Sequence, residues 1–78
     1  MRAKLIIPST EGVTYNYRLH LEYHERQPVL VTSHGKTLDG SYFQLLRDRM
    51  GAWIETNEAP IVAGVLGLPA DANGLVPA

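Results

Sequence analysis

Residues 13–25 read VTYNYRLHLEYHE, and apolar and polar positions alternate through them without a break. Val13, Tyr15, Tyr17, Leu19, Leu21 and Tyr23 fall on one parity, Thr14, Asn16, Arg18, His20, Glu22 and His24 on the other. Period two over this length predicts a strand with one face on a core and one in water. Tyrosine, valine and threonine suit such a pleated, half-buried surface. Ahead of it, Ala3, Leu5 and Ile7 alternate with Arg2, Lys4 and Ile6, a first strand that Pro8 ends or places at an edge. Ser9-Thr10-Glu11-Gly12 between them is a turn, with Gly12 able to take positive φ. Glu25-Arg26-Gln27-Pro28 turns the chain again, and residues 29–32 make a third, shorter strand. Strands joined by such short turns predict an antiparallel meander.

The period then changes. Asp39 or Ser41 caps a helix, and Ser41 with Gln44 three residues on matches a capping box. Tyr42, Leu45, Leu46, Arg49, Met50 and Trp53 follow helical spacing, with Ile54 beside them, while Gln44, Arg47, Asp48, Gly51 and Glu55 take the other side. Gly51 in this helix suggests close backbone approach, and Asn57 with Pro60 a stop. Residues 60–68, PIVAGVLGL, read as a buried strand, though period cannot separate so short an apolar run from a helix. Residues 69–78 are turn-rich and predict an irregular tail, pinned if Leu75 and Val76 find a groove. The expected architecture is α+β: one domain over 1–78, a small antiparallel sheet of three to four strands packed against one helix. Leu19, Leu21, Leu46, Met50 and Trp53 are expected in its core.

Seventy-eight residues leave room for one small core and little for a large buried cleft. There is no cysteine, which removes disulfides and thiolate zinc sites and fits a reducing compartment. No apolar run reaches the roughly 20 residues that span a bilayer, and the apolar run near the N-terminus is shorter than a signal-peptide core, so a cytoplasmic location is expected. Seven Lys and Arg stand against eight Asp and Glu. That balance lacks both the positive surplus of a dedicated nucleic-acid binder and the acidic surplus of a DNA mimic.

Enzymatic signatures are missing: there is no G-x-S-x-G, P-loop, H-E-x-x-H or dinucleotide fingerprint, and no cofactor is expected. His20, Glu22 and His24 share one strand face at i, i+2 and i+4. Adjacent members stand about 6.6–6.8 Å apart at Cα and can converge on an ion, but the outer pair, about 13 Å apart, cannot close with them on one zinc. A metal site would need a further ligand, such as His34. A wet sheet face is the reading that asks for nothing more. The tyrosines of the strand are expected as core rings with hydroxyls at the rim.

In size, in a compact three-stranded sheet with one helix (residues 2–33, then 41–56) and in lacking an enzymatic signature, the chain resembles the small phage-encoded inhibitors of CRISPR systems. The resemblance implies a non-enzymatic protein in the host cytoplasm that binds a bacterial surveillance complex and blocks DNA recruitment or cleavage. Because Arg and Lys nearly balance Asp and Glu here, it implies occlusion of a protein surface rather than charge mimicry. The expected interaction residues are Asn16, Arg18, His20, Glu22 and His24 on the polar strand face, with Arg26 and Lys36. Two alternatives stand beside this: a nucleic-acid-binding accessory protein using Lys4, Arg18, Arg26 and Lys36, and a metal protein or enzyme centred on His20, Glu22 and His24. No aromatic ring for base stacking is placed on the polar face by the sequence, which weighs against the first of these.

Overall fold

The structure, a computed structural model, describes residues 1–69 and 74–77. Its strands are β1 (Ala3–Pro8), β2 (Thr14–His24), β3 (Gln27–Thr32), β4 (Thr37–Leu38) and β5 (Trp53–Thr56), and its helices α1 (Gly40–Met50) and α2 (Ala59–Leu66). All five strands join one antiparallel sheet in the order β4-β3-β2-β1-β5. The α+β class and the antiparallel meander stand as expected, extended by two short edge strands and a second helix.

Each turn has a local cause. Ser9 Oγ accepts from the amides of Glu11 and Val13, closing the β1–β2 loop around Gly12 at φ 81°. Glu25 and Arg26 both take positive φ, 51° and 69°, which is how a two-residue hairpin matches the twist of its strands. Thr32 N donates to Lys36 O at 2.8 Å and Gly35 N to Thr32 O at 2.8 Å, folding β3 back on β4.

Asp39 is the cap of α1: its Oδ1 accepts from Tyr42 N at 2.7 Å. The helix stops earlier than its spacing suggests. Gly51 takes the left-handed conformation, φ 67°, and the amides of Gly51 and Ala52 close on Arg47 and Leu46 carbonyls. Gly51 is therefore a C-terminal cap and not a helix-interior glycine. Beyond it the chain extends as β5, so Trp53 and Ile54 fall on opposite faces. Residues 60–68 are corrected from strand to helix through Leu66: Pro60 sits in the first turn of α2, where a missing N–H is harmless and its fixed φ starts the helix instead of stopping one. Val62, Ala63 and Leu66 form the buried side.

Because β4 and β5 are at opposite edges, α1 must cross the whole sheet to join them, and α2 returns over it. Both helices lie on one side, since their buried residues Phe43, Leu46, Val62, Ala63 and Leu66 cluster with Leu5, Leu19, Leu30, Leu38 and Ile54. Leu19 and Leu46 are in this core as expected, and Leu21 is half-buried against it. Met50 is not: it is 45% exposed at the end of α1, past the sheet the helix covers. The helices shield only the middle of β2. Tyr17 is half-buried, whereas Tyr15 and Tyr23, expected as core rings, are exposed, Tyr23 at 68%.

The tail expected over 69–78 lies partly outside the described residues, at 70–73 and 78. Of the remainder, Leu75 is buried in the core while Val76 is exposed. Ile54 N donates to Leu75 O at 2.8 Å along the free edge of β5, and the Arg47 guanidinium donates to the carbonyls of Gly74 and Val76.

Candidate binding face

The side of the sheet away from the helices is assembled by register. Lys4 stands directly between Arg18 on β2 and Glu55 on β5, and Ile6 between Asn16 and Trp53. Farther along β2, His20 faces Val31, Glu22 faces Val29 and His24 faces Gln27 on β3. Partners directly opposite hold their Cβ atoms about 4.5–5.5 Å apart, so these side chains form one continuous surface. Two apolar residues in it are close to fully covered without any helix above them, Ile6 at 3% and Val31 at 5% exposed. Trp53 is half-buried, and its Nε1 donates to Glu55 Oε1 at 3.4 Å.

The five expected residues Asn16, Arg18, His20, Glu22 and His24 do share this face. Arg26 instead caps the hairpin tip. Lys36 lies on the opposite, helical side of the sheet, its Nζ 4.5 Å above the centre of the Tyr42 ring, so the expected stripe of Lys4, Arg18, Arg26 and Lys36 is broken up. Trp53, Ile6, Val29, Val31 and Glu55 are members of the face that sequence reasoning did not place there. The signal for Trp53 was weak: Gly51 can cap a helix, but Trp53-Ile54-Glu55-Thr56 runs apolar, apolar, polar, polar and shows none of the alternation of β2.

Lys4 and Arg18 are like charges in directly opposed positions, which is unfavourable unless something offsets it. Among the described residues neither has a carboxylate within 4.0 Å; the ion pairs found join Glu22 to His20 and His24. There Glu22 Oε2 lies 2.7 Å from His20 Nε2, and Oε1 lies 2.9 Å from His24 Nε2. A carboxylate can only accept, so both imidazoles carry their proton on Nε2 toward it. The bonds from His24 and His20 hold the Glu22 carboxyl below its ordinary range. Both nitrogens that would ligate an ion beside Glu22 are thus turned to its carboxylate, and among the described residues no three His, Asp or Glu side chains are grouped to hold a metal. Ser33 Oγ and His34 Nδ1 are 3.5 Å apart in an exposed loop, with no carboxylate paired to the imidazole among the described residues, which falls short of an activated nucleophile.

No protein-family model matches this chain, no curated protein matches it in sequence, and no solved structure matches its fold. No helix of the described residues is long and apolar enough to cross a membrane. What fold and face define is a small α+β domain, covered by helices on one side and presenting a rigid, mixed sheet surface on the other.

Proposed function

We propose that the protein is a non-enzymatic binding module that docks a protein partner on its open sheet face. The observation that carries this reading is the position of Trp53, half-exposed in the row of Ile6 and Asn16 and one row from Lys4 and Arg18. Tryptophan and arginine supply interface hot spots more than other residues do, above all on a rigid, partly apolar surface. The charges of the face are mixed, Lys4 and Arg18 against Glu22 and Glu55, as suits a protein surface better than a phosphate backbone. The resemblance to phage inhibitors makes a subunit of a CRISPR surveillance complex the first partner to try, with occlusion as the mode of action.

The test is affinity capture of such complexes, or of host lysate, by the full chain. Trp53→Ala with Arg18→Glu should abolish capture while circular dichroism stays unchanged, and Gln44→Ala with Asp48→Ala on the outer face of α1 should not. Loss from the helix pair alone overturns the reading.

One observation favours a second reading. Trp53 supplies an aromatic ring beside Lys4 and Arg18, the combination of stacking and charge that single-stranded nucleic acid uses. Quenching of Trp53 fluorescence by oligothymidylate, lost steeply as salt rises, would establish it; little salt dependence favours the protein partner.

A further inference from the structure

On the opposite side of the sheet a cavity of about 240 Å³ opens between α1 and the strands. Its floor is apolar: Leu5 and Ile7 from β1 and Leu46 from α1. Tyr17 and Tyr42 wall it, and the tight β3–β4 turn brings His34 and Lys36 to its mouth. These groups are ordered by one another. The Tyr17 ring meets the His34 imidazole edge-on with centres 5.0 Å apart, and the Lys36 ammonium sits over Tyr42. Every polar side chain lining the cavity is a hydroxyl, an imidazole or an ammonium, and none is an acid. Among the described residues Lys36 has no carboxylate within 4.0 Å.

We infer that this cavity is a binding site for a small amphipathic carboxylate, a single ring or short apolar chain bearing one acid group. The apolar body takes the place of water over Leu5, Ile7 and Leu46, between two aromatic walls. The carboxylate meets the Lys36 ammonium, a charge-assisted contact that the protein itself leaves unmade. The cavity falls below the ~300–1,000 Å³ of sites for drug-sized ligands, which limits the occupant to about one ring. Ligand pockets elsewhere share this plan of apolar lining with a few convergent polar groups. The site is on the helical side, so it stands or falls independently of the open face.

Phenylacetate is the first compound to test, followed through the methyl resonances of Ile7 and Leu46 in the full chain. Saturable shifts confined to these methyls are expected in the millimolar range. Lys36→Gln, an exposed substitution, should weaken binding about fivefold, in line with an exposed ion pair. Phenylacetamide, which has the ring without the charge, should bind wild type and Lys36→Gln alike. Absence of saturable shifts, shifts centred on Trp53 and Arg18 instead, or equal phenylacetate affinity in the two proteins would overturn the assignment.

Discussion

Gly40, the first residue of α1, packs against the main-chain carbonyl of Leu66 at the end of α2, and a Cβ on Gly40 would collide with that oxygen. This contact is where the two helices covering the sheet meet. Alanine is the better helix former by about 1 kcal/mol, so local propensity alone predicts that Gly40→Ala stabilises. The collision is with backbone, which cannot rotate away. Gly40→Ala should therefore lower stability by about 1–3 kcal/mol in urea denaturation, as overpacking does. A gain in stability would mean that α2 does not seat on α1 in this way.

The β2–β3 hairpin predicts the opposite sign. Glu25 and Arg26 hold φ 51° and 69° with side chains that disfavour the left-handed region. Asn-Gly is the pair such a turn prefers. Replacing both residues should raise stability by about 1 kcal/mol, measured as a shift of the urea midpoint at constant slope. Lower stability would show that the tip makes contacts which offset its strain.

Leu75 and Val76 are neighbours with different fates. Leu75 is buried among the core residues, and its carbonyl accepts from Ile54 N; Val76 is exposed. Leu75→Ala should lower stability by about 2–5 kcal/mol, and Val76→Ala should stay within about 0.5 kcal/mol of wild type. Equal effects of the two would mean that the chain end does not complete the core.

How legible this was in the sequence varied with the length of each element. β2 alternates over eleven residues and its polar face was fully readable; the cap of α1 was readable only as Asp39 or Ser41, and it is Asp39 that takes the role. Trp53 was misplaced because a four-residue strand directly after a helix can continue helical spacing by accident, and Gly51 fits a helix interior on paper as well as a cap. Residues 60–68 were misread because Pro60 is compatible with either a strand boundary or a first helical turn. Ile6 and Trp53 met only through the pairing of β1 with β5, which are separated by most of the chain. Nothing local announces such a register, and the apolar part of the binding face depends on it. Lys36 failed for a related reason: its side of the sheet is set by the turn at Gly35, not by any period.

The Glu22 bridge is open to titration. Bonds from His24 and His20 favour the ionised carboxylate, so its folded pKa lies below the ordinary glutamate value of 4.5, the hydrogen bond from His24 being the largest single cause. In the unfolded chain the carboxyl returns to that ordinary value. A group whose pKa is depressed on folding contributes stability that is present above its unfolded pKa and fades as pH falls through the folded one. The contribution should thus be intact at neutral pH and vanish in acid below the ordinary glutamate range. Carbon-detected NMR of the Glu22 carboxyl should give a midpoint below the ordinary glutamate value of 4.5. His24→Ala and His20→Ala should each move the midpoint upward. The stability difference between wild type and Glu22→Gln should shrink as pH drops through the Glu22 midpoint. If Glu22 titrates at that ordinary value and neither histidine variant moves it, the three side chains share a strand face without bridging, and that end of the binding face presents loose charges rather than a fixed array.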